Sequence, residues 1–366
     1  MCACCQALLL SGSGRGDLRI RLSPAGGRRA LNPILSIAIP TFKRADKLAD
    51  TLAAFLPQVA PHGIPFCISY TDDTGQTERV LADFRGRYPF ITAITDPTAT
   101  NIDRKMVSAV SLAQSRYVWL FGDDDLPEPG AVERVMGVLR EKDWGLLVLN
   151  ASSYDAAFSS VVEKRRIRVT GDRDYAPGEH ESLLADTASY ATFLGGLVFE
   201  KAMWDSVDPT EFLGSDYVHV AVLYRAVVGR HARLVAEPQL RLRLGGATWA
   251  DRYFEVELVH WPGIIWGLPP AAYSDASKAR VCARRPLASW ARLLATRAYG
   301  YYGHDQYRHF VATDPQIPPW KRLVLRTPLM VPRSWAGKAL VAFRHVQRLW
   351  GDPNLELSLH RLKHRG

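Results

Sequence analysis

The stretch YVWLFGDDDLPEPGAVERVMGVLREKDWGLLVLN, residues 117–150, decides the fold. Residues 117–121 form a short apolar run of the kind that makes a buried strand. Three aspartates follow, then residues 130–142 read as a helix and residues 144–150 as another apolar strand. Strand, helix and strand in that order make a crossover unit, which joins parallel strands of one sheet.

The same alternation runs back to residue 34. Residues 34–40 are a β-rich run ended by Pro40, and residues 44–59 have helical spacing. Residues 65–70 and 76–88 repeat the pair, as do residues 90–96 and 103–114. The expected fold class is α/β, a Rossmann-like, mostly parallel sheet flanked by helices. Right-handed crossovers bring the loops after the strands to one edge, where open sheets bind ligands. Beyond residue 150 the pattern is mixed. Residues 158–169 alternate like exposed strands, residues 192–199 are apolar around a glycine pair, and residues 216–229 read as a buried helix closed by Gly229. Residues 231–245 suggest two short strands around Pro238, and from about residue 285 the chain is helical, Trp-containing and basic. The sequence shows no internal repeat.

Asp123, Asp124 and Asp125 repel one another. In an extended chain residues i and i+2 share a side, so Asp123 and Asp125 are expected to present two carboxylates to one point. Hard cations such as Mg2+ or Mn2+ take carboxylate oxygens and complete their shell with phosphates. An acidic turn before a helix N-terminus is the plainer reading. The position after a strand that ends at the ligand edge favours the cation, and Pro127 and Pro129 stiffen the turn. The other strand ends add Pro40, Thr41, Lys43 and Arg44, then Asp72, Asp73 and Thr74, then residues 96–105. Together they suit a ligand with hydrogen-bonding and anionic parts, such as a nucleotide diphosphate. Arg44, Arg104 and Lys105 would answer phosphates, and Asp72 or Asp73 a base or ribose. Asp103, at the head of the helix after the third strand, is grouped with these nucleotide-sugar contacts.

At 366 residues with 47% hydrophobic and 23% charged residues, the chain has a globular composition and the length for a large core. Residues 285–366 hold 14 Lys and Arg against 4 Asp and Glu, so the net +9 of the chain resides there and points to an anionic partner. Cys67 and Cys282 sit in apolar stretches as reduced core thiols, whereas Cys2, Cys4 and Cys5 crowd the start of a stretch, residues 1–33, that reads as a flexible leader. That start lacks the basic residues of a signal peptide. No window approaches the roughly 18–20 apolar residues of a membrane span. The expected location is cytoplasmic, with peripheral contact to the inner face of the cell membrane.

LSIAIPTFKRADKLADTL, residues 35–52, resembles the opening strand and helix of family 2 glycosyltransferases, which have a GT-A fold. NIDRKMVSAVSLAQSRYVWLFGDDDLPEPGAVERV, residues 101–135, resembles the segment leading into that family's D-x-D metal motif. The wording YVWLFGDDD is closest to the abequosyltransferase-like branch, which builds bacterial surface polysaccharides, and FLGGLVFEKAMW, residues 193–204, is similar to the same branch. The resemblance covers roughly residues 34–230. It implies that Pro40, Thr41 and Arg44 sit near the nucleotide, that Asp123 and Asp124 lie by the ribose and diphosphate, and that Asp125 is a metal ligand. It places a base contact on an aspartate of the second loop, which is Asp72 or Asp73 here because Tyr70 and Thr71 come first. Lys105 stands where an asparagine is common in the family.

The resemblance further implies a single displacement with inversion and a carboxylate base on the acceptor side. Asp216, at a helix start, is the choice, against the plainer role of an N-cap; Asp205 and Asp208 are in reserve. His219 and His260 are read as structural. The expected function is metal-dependent transfer of a sugar from a nucleotide diphosphate donor to a saccharide, lipid-linked, acceptor. Residues 34–150 would bind the donor and residues 151–284 the acceptor, with Trp249, Tyr253 and Trp261 stacking on sugar rings or filling the core. Residues 285–366 would meet an anionic membrane surface or pack on the catalytic domain, and no nucleic-acid module is present. Two other readings are a nucleotidyltransferase, whose Gly-rich loop is missing from IPTFKRADK, and a non-catalytic sugar or nucleotide binder.

Overall fold

The computed structural model describes residues 33–95, 101–245 and 250–340. Strands β1 (Leu35–Phe42), β2 (Phe66–Thr71), β3 (Ile91–Thr95) and β4 (Tyr117–Leu120) are connected through helices α1 (Ala45–Val59), α2 (Gln76–Arg87) and α3 (Ile102–Ser111). The four pair in parallel in the order β3-β2-β1-β4. Seven of the eight residues of β1 are buried, because a parallel sheet carries helices on both faces. From α1, Leu48, Leu52 and Phe55 pack into that core, with Phe55 edge-on to Trp119 and Phe121.

The chain continues through β5 (Leu126–Pro127), α4 (Ala131–Glu141), β6 (Trp144–Tyr154), β7 (Val161–Glu163), β8 (Arg173–Tyr175), α5 (His180–Thr187), β9 (Leu197–Glu200), α6 (Lys201–Asp205), α7 (Val218–Ala226) and β10 (His231–Arg243). All ten strands form one sheet, with the main order β3-β2-β1-β4-β9-β6-β10-β5. One neighbour differs from the sequence expectation. β6 does not lie beside β4; β9 enters between them, antiparallel to both. The glycine pair before β9 allows the close approach. A Cβ on Gly196 would stand 2.7 Å from the Tyr190 ring and 3.1 Å from the Leu149 carbonyl, and the Trp119 indole donates to the Gly195 carbonyl (2.7 Å).

β10 is one strand, not two. Its register against β6 shifts between Val235 and Leu240, so residues 236–239 bulge out, and Pro238, which has no N–H to give the ladder, sits in the bulge. Asn150 donates to the Ala236 carbonyl (2.9 Å), a group that the bulge frees, and to the Ile167 carbonyl (2.7 Å). Of the strands expected over residues 158–169, only β7 forms. β6 runs through residue 150, so the two halves of the domain share one sheet.

A second, smaller core of Phe254, Leu258, Leu293, Tyr302, Val311 and Leu325 holds the basic C-terminal helices together. Cys67 is buried, which pushes its thiol up to about 12, and Cys282 is half-buried. Among the described residues no helix is long and apolar enough to cross a membrane. Cys2, Cys4, Cys5 and Trp249 lie outside the described residues.

Candidate active site

After β4 the chain bends at Asp123 and Asp124. The bend breaks the two-residue alternation, so the three carboxylates point differently from the expectation. Asp123 is turned inward. It accepts from the Thr41 hydroxyl (2.6 Å) and from Arg44 Nη1 (3.2 Å), which commits both oxygens. Arg44 also donates to Asp124 Oδ2 (2.8 Å), clamping two of the aspartates from the start of α1. Asp125 Oδ1 accepts from the Arg243 backbone N–H (2.9 Å). The loop is braced from both sides: the Thr51 hydroxyl of α1 reaches the carbonyls of Asp123 (3.0 Å) and Asp125 (2.9 Å), and Arg243 Nε donates to the Asp124 carbonyl (3.0 Å).

Two carboxylate oxygens then approach Gly122. A Cβ at that position would lie 2.9 Å from Asp125 Oδ2 and 3.5 Å from Asp124 Oδ1, so the missing side chain leaves a small acidic cradle. Burial pushes Asp123 up to about 6, with Asp124 adding to the effect and Arg44 and Thr41 opposing it. Burial pushes Asp125 well above the usual carboxylate range, and the charges of Asp124 and Asp123 raise it further. Burial works against the Arg44 charge, yet Asp123 and Asp124 hold its pKa above the ordinary value. Excess negative charge in a desolvated cradle favours a cation. Among the described residues no set of three or more His, Cys, Asp and Glu converges to hold a metal alone. The cradle therefore fits an ion that takes its remaining ligands from diphosphate and water.

Asp216 occupies a second acidic loop. Its backbone is left-handed at φ 63°, which a residue other than glycine seldom adopts. The cause is Asp103. This buried carboxylate accepts the backbone N–H groups of Gly214 (2.8 Å), Asp216 (2.9 Å) and Val218 (3.2 Å) and so winds residues 214–218 around itself. Burial pushes Asp103 up despite those three donors. The Asp216 carboxylate pairs with Arg252 Nη2 (2.7 Å) and His260 Nδ1 (3.1 Å). Burial alone would raise its pKa, but the His260 bond and the Arg252 charge outweigh burial and hold it below the usual range.

The remaining residues divide clearly. Asp72 accepts from the Thr77 N–H (2.6 Å) and from the N–H and hydroxyl of Thr74, so it caps the start of α2; those bonds hold its pKa well down. Asp73 is exposed and pairs with Lys43 (2.6 Å). Pro40 is buried in β1. Asp103 departs from its expected nucleotide role, since its oxygens are spent on the backbone of the other loop. Lys105 is buried with its ammonium 4.7 Å from the Phe42 ring centre, at the end of β1. Asp103 and Lys105 lie on α3, so that helix links the Asp216 loop to the strand edge. Arg104 is exposed. Asp205 pairs with Lys201 (2.6 Å) and Asp208 caps the turn at Thr210. His219 is structural, as expected: its Nε2 meets the Ala191 carbonyl and burial pushes it down to about 4. His260 meets the Asp216 carboxylate through its Nδ1 (3.1 Å). Trp261 is buried edge-on to Tyr217, and Tyr253 stacks on Tyr301.

Sequence reasoning missed Thr51, Arg243 and Arg252. For Arg243 a signal existed, since Arg241 and Arg243 alternate along β10; nothing local marked the other two.

Residues 36–183 match the model of glycosyl transferase family 2. The chain is similar to Abequosyltransferase RfbV of Salmonella typhimurium, 26% identical over 201 residues, 52% of this chain and 60% of that protein. Among solved structures, S. aureus TarS 1–349 in complex with UDP-GlcNAc has a TM-score of 0.51 at 12% identity, covering 68% of this chain and 70% of that one. The mannosyltransferase PcManGT from Pyrobaculum calidifontis, in complex with GDP-Man and Mn2+, has a TM-score of 0.50 at 14% identity, covering 91% and 86%. These likenesses show the GT-A fold that the sequence resemblance implied.

Proposed function

We propose that this protein transfers a sugar from a nucleoside diphosphate donor to a saccharide acceptor, with inversion, in the synthesis of bacterial surface polysaccharide. The acidic cradle at the ends of β1 and β4 carries the reading, because it offers carboxylates and a clamped arginine at the edge where α/β sheets bind ligands. RfbV, an abequosyltransferase, supports the class of reaction, and TarS and PcManGT, solved with UDP-GlcNAc and GDP-Man, support the class of donor. Residues 34–150 would hold the donor and residues 151–284 the acceptor, which we take to be carried on lipid at the inner face of the membrane.

Asp124 and Asp125 would hold a divalent ion, Mn2+ or Mg2+, which when bound would offset charge on the leaving diphosphate. Arg44 keeps Asp123 and Asp124 in place for it. Asp73, the exposed member of the second-loop pair, is open to a base or ribose, with Pro40 and Thr41 lining the same edge. Asp216 would accept the proton of the acceptor hydroxyl as its oxygen bonds to the anomeric carbon and the bond to the diphosphate breaks. Its low pKa keeps it ionised for that step, and Asp103 fixes where it points.

Thermal melting with a panel of nucleotide sugars and Mn2+ tests the donor half. One base should raise Tm progressively with ligand concentration, and Asp124→Asn with Asp125→Asn should remove the Mn2+-dependent part of the shift. A flat response to every nucleotide sugar would sink the reading.

A further inference from the structure

The helix Pro319–Arg326 turns its apolar stripe to solvent. Trp320, Leu323 and Val324 stand at i, i+3 and i+4 and share a face. Trp320 and Leu323 are each 67% exposed, while Leu325 alone of that helix is buried, in the small C-terminal core, where Tyr302 donates to its carbonyl (2.7 Å). Met330 is exposed beyond the helix and Trp335 is 68% exposed. Trp290, beside the end of the helix, donates its indole N–H to Thr327 (2.8 Å). A surface helix ordinarily buries such a stripe, and a contiguous apolar patch marks a contact surface.

The charge around the stripe says what the contact is. Residues 285–340 hold nine Lys and Arg and two acids, Asp305 and Asp314. Only Arg308 among those nine has a carboxylate within ion-pair distance among the described residues. Arg322 turns inward to the carbonyls of Ile317 and Asp314, whereas Arg326, Arg333 and Lys338 are exposed. A second copy of this chain would set like charges face to face. Tryptophans beside unpaired basic residues match the headgroup layer of an anionic bilayer.

We propose that the helix Pro319–Arg326 and the residues following it form a docking surface for an anionic lipid bilayer. Trp320, Leu323 and Trp335 enter the boundary between headgroups and acyl chains, and Arg326, Arg333 and Lys338 meet the anionic headgroups. The proposal deepens the reading of a lipid-carried acceptor by naming the surface that brings the enzyme to it.

Co-sedimentation of the full chain with phosphatidylcholine vesicles, with and without phosphatidylglycerol, tests it. Binding should require phosphatidylglycerol and weaken with salt. The triple variant Trp320→Ser, Leu323→Ser, Trp335→Ser should bind at least about tenfold more weakly, since burying even one such side chain is worth more than that factor. All three are exposed, so Tm should be unchanged. Transfer to a soluble saccharide, measured on the same variant, should also be unchanged, which separates failure of docking from failure of the catalytic reading. Unaltered vesicle binding by the variant, equal binding to neutral vesicles, or no binding by the parent chain would each overturn the proposal. So would a dimer in sedimentation velocity that the triple variant dissolves without any effect on vesicles.

Discussion

The loop at residues 122–125 is held by side chains from other elements, Thr41, Arg44, Thr51 and Arg243, while its own carboxylates stay close together and largely desolvated. The loop at residues 214–218 is held the other way round. Its backbone is gathered by one buried carboxylate, Asp103, and the Asp216 side chain is left to face Arg252 and His260. The first loop concentrates charge that a bound ion can neutralise. The second fixes a geometry before any ligand arrives. Buried carboxylates that outnumber their one arginine favour binding of a cation, whereas an ionised carboxylate held in a set direction favours proton transfer.

The largest test of that contrast is Asp216→Asn. Asparagine tolerates the left-handed backbone, so the loop should survive and transfer should fall ~1000-fold with donor affinity kept. Near-normal turnover would take the base away from this loop. Asp103→Asn comes next. It leaves Asp216 chemically intact but loosens its support, so kcat should fall about 100-fold through misplacement and stability by about 2 kcal/mol through the lost charge-assisted bonds. Denaturant melts and kcat read together check it; lost stability at full kcat would make Asp103 a structural residue only. The smallest effect is expected from Arg252→Gln. Arg252 helps to hold Asp216 below the usual carboxylate range, so removing it should move the acid limb of the kcat/KM profile to higher pH. By the same linkage, the depressed Asp216 pKa contributes stability that is present above about pH 4 and lost as the pH falls through the folded value. That part of the acid sensitivity should shrink in the variant.

The edge that carries the acidic loop was legible because each part of it is local. Pro40 and Thr41 close one strand, Arg44 follows it, and Asp123–Asp125 follow another, so alternation and crossover handedness were enough to bring them together. Local rules failed where the chain bends or where partners are far apart. Pairing Asp123 with Asp125 assumed an extended chain, and the bend at Asp123–Asp124 gave the cradle to Asp124 instead. The Asp103 contact spans more than a hundred residues of sequence, so nothing near either residue announced it. The His260 bond to Asp216 was hidden for the same reason, since its partner lies 44 residues away. The insertion of β9 between β4 and β6 was hidden too, because no strand carries its sheet neighbours in its own sequence.

One carboxylate serving three amides also makes those amides a single mechanical element. Gly214, Asp216 and Val218 cannot open to solvent one at a time without Asp103 losing part of its shell. Their hydrogen exchange should therefore report one shared opening, not three, and the segment that aims Asp216 behaves as one cooperative latch.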